Sequence, residues 1–430
     1  MTFNLQEKLL ANYDSILDRA GVSGRRLAER LHAISEIGLT TDYGSNRPGY
    51  SKEEQTAKLL VLKWLREAGL HVYQDGAGNI IGRLEGTSQN ERTIMSGSHV
   101  DSVPNGGHFD GVLGVVSALE VVEAWRKTGY QPRKSFEIIV FSDEEGARFD
   151  SGLNGSEAIV GNYDLQEKIK QKDKMGHSFR QVLENVGLSV DTFSKAKRDL
   201  SNVDLFVELH IEQGKRLEQV DLPCGIVTGI AGPCWLEVTF VGEAGHAGNT
   251  PMNHRKDALL AASEFILNVN QLPSQVSSSA VATVGRQMIK PNGVNVIPGK
   301  VTLFVDIRDI YQDTRDQLVD DIIKAAYQIA NKHQMTVNCH ETSRVKPIAI
   351  EQETQSLLAE VVQEQGLKPF YLPSGAGHDA MVMGEKVPIA MLFVRSRSGI
   401  SHNPKEWTDL NDAVQAVHIL KRFIEMNQDK

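Results

Sequence analysis

The stretch Thr93–Gly129, TIMSGSHVDSVPNGGHFDGVLGVVSALEVVEAWRKTG, decides the fold class of this chain. It starts with an apolar run typical of a buried β-strand, passes through a loop of glycine and polar residues, and ends in a helical pattern. A second apolar run, SFEIIVFS, follows at 135–142. Two buried strands joined through a helix are typical of a parallel pair, so this stretch predicts an α/β sheet.

The same alternation continues on both sides of this stretch. Ser51 and Glu54 form a capping-box pattern in front of a helical segment that we expect to end at Gly69. Further short apolar or β-rich runs stand at 71–75, 79–86, 204–210 and 387–396. The chain is therefore predicted to have an α/β domain whose mostly parallel sheet is covered by helices.

Residues 231–342 have a different order of elements. Their apolar patterns predict β-α-β-β-α-β, a ferredoxin-like unit of the split βαβ type. We interpret this unit as a second domain inserted into the first. The predicted domains are 231–342 and a discontinuous domain of 1–230 and 343–430.

Composition limits the classes of function. The chain has 430 residues, 40% of them hydrophobic, and a formal net charge of −9, which does not support a nucleic-acid partner. No apolar run is long enough to span a membrane, and the amphipathic N-terminus does not resemble a signal peptide. The three cysteines are widely spaced and are interpreted as reduced thiols, so we expect a cytoplasmic protein.

Metal-binding residue types follow several of the predicted strands. Because the carboxyl ends of parallel strands share one edge of a sheet, these residues are expected to converge there: His99, Asp110, Asp143, Glu144, Glu145, His210, Glu212 and His402. Each has an ordinary alternative, since a histidine can be a satisfied polar residue and a carboxylate can cap a helix. All of them at one edge favour a metal site. Zinc suits mixed histidine and carboxylate ligands, and manganese, cobalt or nickel would also fit.

Eight motifs in one order resemble the M20 metallopeptidase-like amidohydrolases: GSHVDSVPNGGHFDG, FSDEEGARF, VELHIEQG, GHAGNTPM, GVNVIPG, DIRD, SGAGHDA and GISHNP. They resemble most the branch of N-carbamoyl-L-amino-acid hydrolases, allantoate amidohydrolases and β-ureidopropionases. His210 carries this distinction, because peptidases of the superfamily generally have an acidic ligand where this branch has the histidine of HIEQG.

The resemblance implies a centre of two divalent metal ions. Asp110 would bridge them, His99 and His210 would complete one site, and Glu145 and His402 would complete the other. Glu144 would be the general base, and Asp101 would hold the His99 imidazole in the correct tautomer. His108 matches no ligand position and is interpreted as a loop residue.

The resemblance also implies substrate-binding residues: Gln213, His246, Asn295, Arg308, Gly377 and His378. Arg308 would receive a carboxylate and His246 would stabilise the oxyanion, so that His246 is also a catalytic candidate. The alternatives are an ion pair of Arg308 with Asp306 or Asp309, and a structural turn role for His246. The inserted domain is further implied to be a lid that forms a homodimer and lends His246 to the partner subunit.

The resulting prediction is a metal-dependent hydrolase of linear amide bonds that acts on a small ureido acid. The favoured reaction converts N-carbamoyl-L-amino acids into the L-amino acid, carbon dioxide and ammonia. The alternative is allantoate amidohydrolase, an allantoate deiminase. Less favoured are an M20 aminoacylase or dipeptidase and a non-catalytic binding protein, since such a protein should have lost ligands that this chain retains.

Overall fold

The computed structural model describes residues 3–88 and 91–428. The α-helices of these residues are α1 (Leu5–Leu10), α2 (Gly24–Ser35), α3 (Lys52–Glu67), α4 (Val112–Thr128), α5 (Asn154–Val160), α6 (Leu165–Lys168), α7 (Phe179–Asn185), α8 (Val190–Ser194), α9 (Arg216–Gln219), α10 (Ala258–Gln271), α11 (Pro273–Val276), α12 (Gln312–Lys332), α13 (Gln352–Glu364), α14 (Asp379–Met383) and α15 (Leu410–Met426). The strands are β1 (His71–Gln74), β2 (Ile80–Leu84), β3 (Thr93–His99), β4 (Phe136–Phe141), β5 (Val203–Ile211), β6 (Cys224–Ile230), β7 (Gly232–Val241), β8 (Gly245–His246), β9 (Val281–Lys290), β10 (Val296–Ile297), β11 (Lys300–Asp309), β12 (Thr336–Arg344), β13 (Ile348–Ala349), β14 (Tyr371–Ser374) and β15 (Ile389–Val394).

The predicted α/β fold is confirmed, and its larger sheet is mixed. The strand order is β1-β2-β4-β3-β5-β15-β6-β13, with β14 paired to β6. The central strands β4, β3, β5 and β15 run parallel to one another, and β1, β2, β6 and β13 add antiparallel pairs. β1 and β2 are antiparallel because the turn between them is too short for a crossover connection.

Helix α4 lies at the centre of the larger core. Its residues are buried on almost every side, since it packs on β3 and β5 and is covered in turn by α2 and α15. A helix that is apolar all round must be enclosed in this way. The enclosure places the N-terminus of α4 at the carboxyl edge of the central strands.

Helix α3 is present where the sequence predicts it, but its capping box is only half formed. Ser51 Oγ accepts a hydrogen bond from the Glu54 N–H at 3.1 Å. The Glu54 carboxylate does not return to Ser51. It accepts the Tyr50 N–H at 2.6 Å and pairs with Lys58 at 2.5 Å, because the buried Lys58 ammonium needs a counter-charge.

The chain divides into two compact units. The first comprises the residues up to Thr228, Ile350–Leu372 and those from His378 onward, and the second comprises Gly229–Ala349 and Pro373–Gly377. The second unit contains a four-stranded antiparallel sheet of order β12-β7-β11-β9, with α10 and α12 against it. The domain boundaries at 230/231 and 342/343 remain a prediction.

No helix within the described residues is long and apolar enough to cross a membrane. Each of the three cysteines is free.

Candidate metal centre

The candidate ligands lie at the carboxyl edge of the parallel strands. β3 ends at His99, and Asp110 lies just before α4. The turn after β4 carries Glu145, β5 carries His210 near its end, and the loop after β15 carries His402. The order of the strands therefore brings these distant residues of the chain to one place.

Their ligand atoms form two groups that share Asp110. In the first group, Asp110 Oδ1 lies 3.1 Å from His210 Nε2 and 3.6 Å from His99 Nε2. In the second, His402 Nε2 lies 3.5 Å from Asp110 Oδ2 and 3.3 Å from Glu145 Oε2. The potential ligand atoms of each group lie within 4.8 Å of one another, so each could surround one cation.

A glycine must follow Asp110 in this arrangement. Gly111 has φ +64°, and a Cβ atom there would lie 2.4 Å from the His99 ring. Only a residue without a side chain lets α4 begin this close to His99.

Both buried imidazoles are oriented as metal ligands would be. The Nδ1 atom of His99 lies 3.1 Å from the Asp101 carbonyl oxygen. The Nδ1 atom of His210 lies 2.9 Å from the Ile211 carbonyl oxygen. A proton on Nδ1 leaves Nε2, which lies near Asp110 in both rings, with a lone pair that a cation could use; in His210 this nitrogen also accepts the Gly111 N–H at 3.3 Å. Within the described residues His99 Nε2 is buried without a hydrogen-bond partner, a cost that a bound cation would remove.

Asp101 holds the turn that carries the two adjacent glutamates. Its Oδ1 accepts the Glu144 N–H at 3.2 Å, and its Oδ2 accepts the Glu145 N–H at 3.1 Å. Burial raises the pKa of Glu145 to about 8 and raises the pKa of Glu144 well above its usual range. Divalent cations would supply the positive charge that so many neighbouring carboxylates need, so the donor set fits such ions.

Two substrate-binding candidates of the first unit lie against the ligand groups. Gln213 donates a hydrogen bond from Nε2 to Asp110 Oδ2 at 2.7 Å. The ring of His378 is buried, and its centroid lies 4.5 Å from that of His210 in an edge-to-face arrangement. Burial lowers the pKa of His378 well below its ordinary value, which favours a neutral imidazole there.

The sequence reasoning missed three polar residues around these groups. Glu208 accepts hydrogen bonds from Ser98 Oγ at 2.7 Å and the Ala380 N–H at 2.8 Å, and its carboxylate also lies near His210 and His378. Its position two residues before His210 was a usable signal, since alternate residues of a strand share a face. Ser401 and Glu406 lie in an irregular loop that has no such period.

His246 and Asn295 lie together in the second unit. His246 pairs with Val296 between β8 and β10, and the Asn295 carbonyl accepts the Ala247 N–H at 3.0 Å. His246 Nδ1 accepts hydrogen bonds from the backbone N–H groups of Gly248 at 3.0 Å and Asn249 at 3.2 Å. A neutral imidazole held in this way carries its proton on Nε2 and can donate it to a ligand.

Arg308 makes the ion pair with Asp306 that the sequence left open. Its Nε and Nη2 donate to the two carboxylate oxygens at 2.9 and 2.7 Å, and Nη1 donates to the Gly375 carbonyl at 2.6 Å. Three of the five N–H donors of the guanidinium are thereby used. Gly377 follows Gly375 by two residues and belongs to the same unit.

His108 has a structural environment. Its Nδ1 lies 2.9 Å from Ser45 Oγ, and its Nε2 lies 2.9 Å from the Tyr43 carbonyl oxygen. Burial lowers its pKa to about 4. Both ring nitrogens are occupied by the protein, in agreement with the prediction that His108 is a loop residue.

Comparison with known proteins decides the family. The model of peptidase family M20/M25/M40 matches residues 95–426. The chain belongs to this family. M20 enzymes depend on metal ions, which agrees with the two ligand groups around Asp110.

Several relatives match nearly the whole length of this M20 chain. It is 39% identical over 399 residues to the N-carbamoyl-L-amino acid amidohydrolase of Geobacillus stearothermophilus, covering 93% of this chain and 97% of that protein. It is 36% identical over 386 residues to the allantoate amidohydrolase of Bacillus subtilis (strain 168), covering 89% and 92%. A crystal structure of an amidase of the hydantoinase/carbamoylase family from Burkholderia multivorans matches with a TM-score of 0.89 at 31% identity, covering 96% and 99%. This M20 chain is therefore a hydrolase that acts on amide C–N bonds.

Proposed function

We propose that this chain hydrolyses the carbamoyl C–N bond of N-carbamoyl-L-amino acids and releases the L-amino acid, carbon dioxide and ammonia. The observation that carries the proposal is the position of Asp110, whose Oδ1 faces His99 and His210 and whose Oδ2 faces His402. A carboxylate placed in this way can bridge two cations, which suits the attack of water on an amide. The 39% identity to the Geobacillus stearothermophilus enzyme supports the carbamoyl substrate.

In this proposal the two groups around Asp110 each hold one divalent cation. Zinc is the first candidate because it accepts nitrogen and carboxylate ligands together, and manganese, cobalt and nickel are the others. When bound, such ions polarise the substrate carbonyl and lower the pKa of a water molecule.

Glu144 is the general base of the proposed reaction. Its side chain is 10% exposed and lies at the first group, with Oε2 3.5 Å from His99 Nε2. It takes a proton from the attacking water as the water oxygen bonds to the carbamoyl carbon. It then gives that proton to the departing nitrogen as the C–N bond breaks. Ammonia leaves, and the remaining carbamate loses carbon dioxide to give the amino acid.

We assign substrate recognition mainly to the second unit. The two N–H groups that Arg308 retains would bind the α-carboxylate, and the Nε2–H of His246 would stabilise the oxyanion. Asn295, Gly377, Gln213 and His378 are the other candidates for substrate binding.

Allantoate is the alternative substrate, supported by the 36% identity to the Bacillus subtilis allantoate amidohydrolase. Allantoate also carries a carboxylate and ureido groups, so the same residues could bind it. An M20 aminoacylase or dipeptidase is less favoured because the relative with 39% identity is named for carbamoyl substrates. A non-catalytic binding protein is less favoured because every predicted ligand and Glu144 are retained.

A substrate panel tests this proposal. Protein loaded with each candidate metal is incubated with N-carbamoyl-L-amino acids, allantoate and simple dipeptides, and ammonia and free amino acids are measured. We expect ammonia and L-amino acid from the carbamoyl compounds only. Ammonia from allantoate alone would favour the alternative, and cleavage of dipeptides alone would make the chain a peptidase.

We also propose a homodimer that forms through the second unit. β9 lies at an edge of the four-stranded sheet, where backbone groups can pair with another strand. α10 packs beside β9 and exposes Leu260 (55%) and Leu267 (65%). An edge strand beside exposed leucines supports the pairing of two copies.

The surroundings of His246 support a role in the partner's site. Val294 is 106% exposed and precedes Asn295, and Met252 is 75% exposed in the turn that follows His246. In the proposed dimer they would contact the other subunit and bring His246 to its metal centre.

The absence of disulfide bonds among the three cysteines supports a reducing compartment. All three are free thiols. Free thiols are typical of proteins in reducing compartments, so we propose that the chain acts in the cytoplasm.

A further inference from the structure

Glu406 is a buried carboxylate that the proposed reaction does not use. It is 3% exposed and lies in the loop after His402. Its Oε1 accepts hydrogen bonds from the N–H groups of Phe109 at 2.9 Å and Asp110 at 3.1 Å. Glu406 therefore holds the backbone from which the Asp110 side chain projects.

The loop in front of Asp110 is closed tightly on this carboxylate. A Cβ atom at Gly107 would lie 2.0 Å from Glu406 Oε1 and 2.1 Å from its Cδ. No side chain fits at that distance, so a glycine is required for the loop to approach Glu406.

Ser401 links the other oxygen of Glu406 to the Asp110 carboxylate. Ser401 Oγ lies 2.8 Å from Glu406 Oε2 and 2.8 Å from Asp110 Oδ2. Gln213 donates to the same Asp110 oxygen. Asp110 Oδ2 is thus contacted by Gln213 Nε2 and Ser401 Oγ, while Asp110 Oδ1 remains 3.1 Å from His210 Nε2.

A bridging aspartate needs such support because its own torsion does not provide it. The χ2 angle of aspartate has a broad energy profile, so the plane of the carboxylate rotates easily. A rotation would turn one oxygen away from each ligand group at the same time. Hydrogen bonds from outside the groups must therefore set the plane.

We propose that Glu406 and Ser401 are positioning residues that hold Asp110 with one carboxylate oxygen directed at each group of metal ligands. The inference rests on the two-metal site of the proposed function. It adds a specific role for two residues to which the proposed function assigns neither metal binding nor substrate binding.

The test measures metal binding rather than activity. Apo protein is titrated with Co²⁺ in competition with a chromophoric chelator, and the number of sites and their dissociation constants are determined. Ser401→Ala removes only the hydroxyl that contacts Asp110. We expect the dissociation constant of at least one of the two Co²⁺ ions to rise by about ten- to a hundredfold.

Two substitutions of Glu406 separate hydrogen bonding from charge. Glu406→Ala should weaken Co²⁺ binding at least as much as Ser401→Ala does. Glu406→Gln should retain most of the affinity, because the amide oxygen still accepts both N–H groups and the amide nitrogen donates to Ser401. The Ser401 hydroxyl then donates to Asp110 Oδ2.

Ser96→Ala is the matched control, since Ser96 is a buried serine that donates to the Val207 carbonyl at 2.8 Å. It should bind Co²⁺ as the wild type does, and thermal unfolding of each apo variant monitors the fold. Unchanged constants in Ser401→Ala would overturn the inference, as would equal losses in Glu406→Gln and Glu406→Ala. If Glu406→Ala does not fold, Ser401→Ala still decides. A wild type that binds no Co²⁺ would refute the proposed metal site itself, and the positioning role with it.

Discussion

At the scale of single residues, the adjacent carboxylates Glu144 and Glu145 face different partners. Glu144 Oε2 lies 3.5 Å from His99 Nε2, whereas Glu145 Oε2 lies 3.3 Å from His402 Nε2. Asp101 accepts the backbone N–H of both glutamates and so holds the turn between them. The two positions should therefore respond differently to the same substitution.

Glu144→Gln should leave metal binding nearly intact while turnover falls by about a hundredfold or more, as expected for the loss of a general base. Glu145→Gln should instead weaken metal retention, because a neutral amide is a poorer ligand than a carboxylate. Metal analysis and ammonia release are measured on both purified variants. Metal loss confined to Glu144→Gln would reverse the two roles.

Arg308→Ala should lower kcat/KM for N-carbamoyl-L-amino acids by a factor that corresponds to about 2 to 5 kcal/mol of lost transition-state stabilisation, because the substrate carboxylate loses its charged partner. Substrates with an amide in place of the carboxylate should lose much less. Asp306→Ala serves as the control, since it breaks the observed ion pair but keeps the guanidinium. Equal losses for acid and amide substrates would mean that Arg308 only pairs with Asp306.

At the scale of elements, α15 is joined to the N-terminal segment by a buried histidine. His418 Nε2 lies 2.9 Å from the carbonyl oxygen of Leu17, so a neutral ring can donate its N–H there. Burial lowers the pKa of His418; Arg19 and Lys421 lower it further, whereas the hydrogen bond to Leu17 and the nearby Asp18 raise it. The folded chain therefore favours the neutral imidazole.

Because the folded pKa of His418 lies below its unfolded value, its contribution to stability is complete above the unfolded pKa and is lost as the pH falls. His418→Gln keeps an N–H donor for Leu17 but does not titrate. From about pH 7.5 to about pH 5 the midpoint of urea denaturation should therefore fall more for the wild type than for this variant. Parallel curves for the two proteins would contradict the assignment.

At the scale of the whole molecule, the second unit has surfaces that a partner subunit would cover. β9 is an edge strand, and α10 beside it exposes Leu260 and Leu267. Val294 is fully exposed next to Asn295. These surfaces are the basis of the proposed homodimer, in which His246 would complete the partner's site.

Mixing two inactive variants tests whether His246 acts in the partner's site. Glu144→Gln and His246→Ala homodimers should each be nearly inactive. After subunit exchange about half of the dimers are mixed, and one site in each has both residues intact, so about a quarter of the wild-type activity should return. If His246 serves its own chain, verified mixed dimers would recover no activity.

Local patterns were enough to predict much of this molecule. Apolar periodicity, together with turn-forming and capping residues, predicted the strands around Thr93–Gly129, helix α3 and the β-α-β-β-α-β order of residues 231–342. These patterns are informative because side-chain burial repeats along each element. Motifs in register also predicted the set of candidate ligands, which the structure brings into two groups around Asp110. These inferences depend on residues that are neighbours in sequence or stand at the ends of strands.

Only the tertiary structure decided the contacts between distant loops. Arg308 could have paired with Asp306 or Asp309, and packing selected Asp306. No periodic pattern in the sequence predicts the antiparallel pairing at the flanks of the sheet. The same holds for the contact of Ser401 with Asp110, which lies 291 residues away. The physical reason is that such hydrogen bonds depend on where whole elements pack. The sequence by itself determined which groups could bind a cation, whereas packing decided which groups hold them in place.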